Sequence, residues 1–349
     1  MHSPSFGFID NTNLYNGTWL IRLSKRGNSL NQRPQKRSVK KSYDTLTPKL
    51  AFQLMAPQTL APSILATLFS VVYTAVSFSG SVNLLVATIL FLICVLMQAA
   101  ANTLNDYFDF KKGTDSLDNS SEDEFDAVLV YNHLNPTHVL IFASAQLVLA
   151  ALLGAYIVFI SGIIPLIIGL IGAVVVILYS AGKTPLSYLP IGEIAVGFVM
   201  GGLIPLACVY VLSGVLDWFV LIIALPLMIG IGMVLATNNT CDIEKDIEAK
   251  RSTLAVTLGR NRAVRIYKTV VLVWLVIIIV LELCFYTSGA VFGVLMACAS
   301  FPVLRALLNN PLVQASRDGA MAQIISLNIA FISFYCLAIA MNDIVTFIF

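Results

Sequence analysis

The sequence predicts an all-α integral membrane protein of nine transmembrane helices, and three observations carry that expectation. Only 11% of the 349 residues are charged and 58% are hydrophobic, with a mean hydropathy of +0.86, whereas a soluble domain carries about 25% charged residues. The apolar residues gather into runs at about 50–77, 82–104, 138–160, 163–181, 190–212, 217–237, 265–286, 289–308 and 320–347, each close to the roughly 20 residues that cross a hydrocarbon core. The basic residues fall only in alternate gaps between these runs. Lipid offers no partner to a free backbone group, so helices are the form such runs must take. Pro57, Pro62, Pro165, Pro205 and Pro226 lie inside or near them, where neighbouring helices can re-satisfy the freed carbonyls.

With the N-terminus inside, the inner segments are the leading tail and the exits of the even-numbered helices. The tail holds Arg22, Lys25, Arg26, Arg33, Lys36, Arg37, Lys40, Lys41 and Lys49. Lys111 and Lys112 follow helix 2, and Lys183 follows helix 4. Lys245, Lys250, Arg251, Arg260, Arg262, Arg265 and Lys268 follow helix 6, and Arg305 and Arg317 flank the last inner loop. All 21 Lys and Arg residues are thereby inside, as the positive-inside rule asks. Residues 1–49 read as a basic, disordered cytoplasmic tail that enforces this topology and touches anionic lipid. They show no signal-peptide core, and Asp10 and Asp44 weigh against a targeting segment. Residues 50–349 form the helical domain, multi-pass in the cell membrane. The six cysteines have no CxxC spacing and read as small core hydrophobes; His133 and His138 are given no role.

Chemistry is concentrated at two helix ends. Asn102, Asp106 and Asp109 stand at i, i+4 and i+7, so one helix face carries an amide and two carboxylates. Asn238, Asp242 and Asp246 repeat the pattern at i, i+4 and i+8. The two clusters follow helices 2 and 6, and that even separation puts both on the cytoplasmic face. The chain thus reads as two four-helix units plus a ninth helix around a central cavity. Stacked like charges repel unless a cation lies between them. Hard oxygen donors without histidine or thiol suit Mg2+, which shares its shell with water and substrate phosphates. Asp118, Glu122, Asp123, Glu124 and Asp126 read instead as a solvated loop. Lys245, Lys250 and Arg251 share the loop of the second cluster, and Lys183 stands four residues after Tyr179. These are the cations that a diphosphate leaving group needs.

The residues carry a resemblance. Asn-Asp-Tyr-Phe-Asp-Phe-Lys-Lys-Gly-Thr-Asp at 105–115 resembles the first aspartate-rich motif of the UbiA superfamily of intramembrane prenyltransferases. Asn-Asn-Thr-Cys-Asp-Ile-Glu-Lys-Asp at 238–246, continuing to Thr-Leu-Ala at 253–255, resembles the second, and Tyr-Ser-Ala-Gly-Lys at 179–183 is similar to the family's Tyr-x-x-x-Lys. The likeness covers about residues 50–349. Within the superfamily it is nearest the MenA branch, the 1,4-dihydroxy-2-naphthoate polyprenyltransferases of menaquinone biosynthesis, which Gly192-Glu193 also fits. The chain departs from that branch at Ala127, where an arginine is common, and at Asn132, where a glycine is common.

The resemblance implies Mg-dependent transfer of a polyprenyl group from polyprenyl diphosphate to an aromatic acceptor. One Mg2+ would be held by Asn102, Asp106 and Asp109 and another by Asn238, Asp242 and Asp246, with Asn105 and Asp115 as secondary contributors. Lys183, Lys245, Lys250 and Arg251 would bind the diphosphate, and Tyr179, Tyr107 and Phe108 would face the allylic cation. A benzoquinone-type or lipid acceptor stays open. A secondary transporter is disfavoured because its ionisable residues belong near the midplane.

Overall fold

Proline and asparagine set several of the helix starts among the described residues. In the computed structural model, which describes residues 43–78, 81–113, 127–342 and 346–348, Thr47 caps α1 (Pro48–Leu54) by accepting from Leu50 N, with Pro48 in the first turn. Asn83 caps α3 (Leu84–Lys112) by accepting from Val86 N, and Asn135 caps α5 (Pro136–Ser161) by accepting from Thr137 N. Between α1 and α2 (Ala61–Ser77) the expected single helix over 50–77 is broken and bent by 60°. Ala56 takes a left-handed φ of 47° ahead of Pro57; proline removes an amide donor and excludes the α conformation from the residue before it.

Strand β1 (Ser81–Asn83) leads into α3, whose 29 residues run without interruption to Gly113. A short α4 (Val128–Tyr131) precedes α5, and α6 spans Ile164–Ser180. The next apolar run is α7 (Gly192–Phe198), a wide π-helical turn over Val199–Leu203, and α8 (Ile204–Ser213). It lies against α10 (Leu225–Cys241), which follows the single turn α9 (Val220–Ile223). The approach is close enough that a Cβ on Gly201 would fall 2.5 Å from the backbone nitrogen of Met228, so only glycine fits there. Two short helices, α11 (Ile243–Glu248) and α12 (Leu254–Leu258), lead into α13 (Arg260–Phe285), α14 (Val291–Asn309) and α15 (Arg317–Ala340). Strand β2 (Thr346–Ile348) pairs in parallel with β1, Val82 opposite Phe347.

Among the described residues six helices are long and apolar enough to cross a membrane, and a seventh if the bent α1–α2 pair is one span; α6 and α10 are shorter apolar helices. Their outward faces carry exposed Leu152, Phe159, Val294 and Phe301, the pattern of helices solvated by lipid rather than water.

The helices close on themselves within the unit Asp44–Phe349. α3 packs on α2 and α5, α6 on α5 and α8, α10 on α7 and α13, and α15 joins α14, α10 and α2. The main core ties α2, α10, α13, α14 and α15 through Phe69, Leu227, Trp274, Met296, Phe331 and Tyr335. Trp274 satisfies its indole by donating to the Pro226 carbonyl at 2.8 Å, which lets a polar atom stay in the core without penalty. α13 and α14 contribute nothing to the cavity lining described below; α15, the last helix, contributes Met321, Ala322 and Ile325.

Candidate active site

Because α3 does not stop at the end of its apolar run, Asn102, Asn105, Asp106 and Asp109 project from successive turns. Gly113 ends the helix with φ 74°, its amide donating to the carbonyls of Asp109 and Phe110, and Lys111 and Lys112 fall in the last turn, where the helix dipole favours cations. Asn102 Nδ2 donates to the Met55 carbonyl at 2.8 Å and to Thr59 Oγ1 at 3.0 Å, so the break between α1 and α2 supplies the groups that orient it. Asn105 Nδ2 donates to Asp109 Oδ2 at 3.1 Å and its Oδ1 accepts from Ser180 Oγ at 2.9 Å. The buried segment Ala127–Val130 folds back so that Leu129 N donates to Asp106 Oδ1 at 3.3 Å.

The second cluster is not one continuous helix, as its spacing had suggested. α10 ends at Cys241, and Asp242 (φ −99°, ψ 20°) caps it before α11 begins. Past α11, Lys250 adopts a left-handed φ of 56°, a conformation that costs a non-glycine residue about 1 kcal/mol or more. The reversal turns Arg251 back toward the helix, its amide donating to the Asp246 carbonyl at 2.8 Å. Arg251 then reaches both motifs: its guanidinium lies 3.2 Å from Asp109 Oδ2 and 3.6 Å from Asp246 Oδ1. Thr253 Oγ1, the cap of α12, also donates to Asp246 Oδ2 at 3.2 Å.

The four aspartates are only 3–7% exposed. Burial pushes the Asp246 carboxyl up to about 6, against the pull of Arg251. Burial also works against the Arg251 charge, but Asp109 and Asp246 outweigh it and hold the guanidinium above its ordinary range.

Above these groups opens a cavity of about 1320 Å3. Asn102, Asn105, Asn238, Arg317 and Tyr179 line its polar end; Leu90, Ile93, Val158, Val176 and Leu203 line the apolar remainder, which reaches the exposed Leu166 and Leu170. Tyr107 packs instead on the cluster of Leu54, Val128 and Leu129, and neither it nor Phe108 belongs to the lining.

Not every residue expected from the sequence converges here. Lys183 and Lys250 are exposed, and neither forms an ion pair with a described residue; Lys245 is half-buried on α11. Asp115 lies outside the described residues. One cation was missed. Arg317, read only as a marker of topology, donates from Nε to Asn238 Oδ1 at 2.9 Å and lies 3.1 Å from Asp242 Oδ2. A signal was available, since Arg317 opens a helix at its positive end, where a cation is unfavourable unless an anion faces it.

The donor set fits Mg2+ in kind: carboxylate and amide oxygens, with no imidazole among them. A guanidinium already stands between carboxylates of both motifs, so positive charge belongs at their junction. Among the described residues no three Asp, Glu, His or Cys side chains gather closely enough to hold an ion alone; amides, water and phosphate oxygens would complete any shell.

Residues 63–340 match the model of the UbiA prenyltransferase family. This chain belongs to that family. Among its UbiA relatives, the 1,4-dihydroxy-2-naphthoate octaprenyltransferase of Bacillus subtilis is 32% identical over 216 residues, covering 62% of this chain and 68% of the relative. The Mycobacterium tuberculosis enzyme of the same name is 31% identical over 237 residues, 67% of this chain and 79% of that one. The structure of a UbiA homologue from Archaeoglobus fulgidus, bound to DMAPP and Mg2+, superposes with a TM-score of 0.53 at 16% identity, covering 81% of this chain and 99% of the homologue. At that identity the likeness establishes the shared UbiA fold.

Proposed function

We propose that this UbiA-family prenyltransferase moves a polyprenyl group from polyprenyl diphosphate to an aromatic acceptor, with 1,4-dihydroxy-2-naphthoate as that acceptor. The observation that carries the reading is Arg251, whose guanidinium joins Asp109 of the first motif to Asp246 of the second near the polar end of a long apolar cavity. Kinship with two 1,4-dihydroxy-2-naphthoate octaprenyltransferases favours the acceptor. The fold neighbour holding DMAPP and Mg2+ supports the donor and the metal.

In this reading Asn102, Asp106 and Asp109 from one motif and Asn238, Asp242 and Asp246 from the other hold Mg2+, with Asn105 and Asp115 as secondary contributors. When bound, Mg2+ supplies charge neutralisation that makes diphosphate a better leaving group. Arg251, Lys183, Lys245 and Lys250 bind the diphosphate, the exposed lysines closing on it from the loops. Tyr179, half-buried in the cavity lining, offers its ring face to the allylic cation. The apolar cavity takes the isoprenoid tail toward the lipid-facing side of α6.

Removing divalent metal with EDTA should abolish product formation and added Mg2+ should restore it; turnover that persists in chelator would refute the metal assignment. Purified protein offered labelled polyprenyl diphosphate and a panel of aromatic acceptors tests the acceptor, and a product formed only from a benzoquinone precursor would move it to another branch.

We also infer nine spans, counting α1–α2 as one and including α6 and α10, with residues 1–49 as an inner tail and the acidic motifs on the cytoplasmic side. A topology reporter fused after Phe349 should then read outside, and reporters at residues 115 and 250 inside. Reversal of any of the three breaks the nine-span arrangement.

A further inference from the structure

The segment joining α6 to α7 holds one aromatic residue that touches both acidic motifs. Pro185 starts a single 3-10 turn over Leu186–Tyr188, with Tyr188 N donating to the Pro185 carbonyl at 2.9 Å. The far side of that turn is fixed by Gly192, where a Cβ would stand 3.0 Å from the Leu186 carbonyl oxygen. Held this way, the half-buried Tyr188 makes contacts across the site. Its carbonyl accepts from Ser252 N at 2.9 Å. Its ring centroid lies 4.8 Å from the guanidinium carbon of Arg251 and 4.9 Å from Lys112 Nζ. Lys112, at the end of α3, also donates to the Ser180 carbonyl at the end of α6. Arg251 belongs to the second motif and Lys112 to the first, so a single ring gathers a cation from each.

Two carboxylates and a hydrogen bond with the Tyr188 side chain hold Arg251 through directed contacts, and the Tyr188 ring face adds a further restraint. A ring within about 6 Å of a cation attracts it through its face, and at 4.8 Å the Tyr188 ring restrains the plane of the guanidinium. The Nε of Arg251 is buried and has no hydrogen-bond partner among the described residues.

We propose that Tyr188 is the positioning residue of this site: its ring holds Arg251, with Lys112 beside it, in the orientation that receives the diphosphate. The proposal rests on the diphosphate reading above. Tyr188 acts through Arg251 and does not line the cavity.

The test uses the full chain in lipid nanodiscs, with calorimetric titration of inorganic pyrophosphate in the presence of Mg2+. Tyr188→Leu should weaken pyrophosphate binding about ten-fold, and Tyr188→Phe, which keeps the ring and loses only the hydroxyl, should bind more weakly than the parent and more tightly than leucine. The KM for polyprenyl diphosphate should rise in the leucine variant while the KM for the aromatic acceptor stays put, a split that general loss of structure would not produce. If Tyr188→Leu proves unstable in thermal unfolding, Tyr188→Met, similar in bulk and without a ring, takes its place. Parent-like binding by the ringless variant overturns the proposal, as does a phenylalanine variant as weak as leucine. Parent protein that fails to bind pyrophosphate would instead remove the diphosphate reading itself, and this inference with it.

Discussion

Asparagine in place of any one of Asp106, Asp109, Asp242 or Asp246 is expected to lower turnover by about two to three orders of magnitude, corresponding to the roughly 3–4 kcal/mol that a preorganised electrostatic contact supplies in a water-excluded site. Each substitution removes an anionic oxygen from a buried cluster while keeping its shape, so the variants should insert and fold. Asp118→Asn and Asp126→Asn, in the loop read from the sequence as solvated, should behave like the parent. The double variant Asp106→Asn with Asp242→Asn should cost less than the two singles added together, because both aspartates serve one diphosphate. Steady-state kinetics on detergent-purified protein measures all of these. Should the four buried positions prove no more sensitive than Asp118, they are structural charge and the site assignment fails.

Loss of the Arg251 guanidinium is expected to be as damaging, through a different route. Its side chain is 15% exposed and lies within 4 Å of two buried carboxylates. Breaking such a pair leaves uncompensated charge and costs about 3–5 kcal/mol. Arg251→Gln should therefore lower the midpoint of thermal unfolding as well as abolish diphosphate binding. The carboxylates it abandons should then draw cations more strongly. Mg2+ should raise the unfolding midpoint of Arg251→Gln by more than it raises that of the parent, measured by fluorescence-monitored unfolding in the same detergent. An Arg251→Gln protein with parental stability and no added response to Mg2+ would show that the guanidinium does not neutralise the two motifs.

Much of the fold is legible from hydropathy because lipid imposes a simple demand: apolar runs of about 20 residues must be helical. The helical spacing of Asn102, Asp106 and Asp109 is also readable, since α3 is continuous through them. The second motif is less so. Nothing in the spacing of Asn238, Asp242 and Asp246 marks the end of α10 at Cys241, which local backbone geometry at Asp242 decides. The break at Ala56–Pro57 is signalled by proline, yet proline inside a membrane span is common enough that the residue alone does not distinguish a kink from a break. Its consequence, the Met55 carbonyl turned toward Asn102, is visible only in three dimensions.

Composition and the placement of charge by themselves determined that this chain is a helical membrane protein, and three short motifs determined its kinship. Those features are local, so periodicity and order along the chain express them fully. Which cations meet which carboxylates was decided only by tertiary structure. Arg251, Lys183 and Lys250 are all cationic in sequence, but the left-handed turn at Lys250 sends Arg251 inward to Asp109 and leaves Lys250 exposed, while Lys183 is exposed in the loop after α6. Arg317 and Asn238 are 79 residues apart in the chain, and they meet because α15 packs back against α10. An ion pair's strength depends on separation and desolvation, and both are properties of the folded packing rather than of position along the chain.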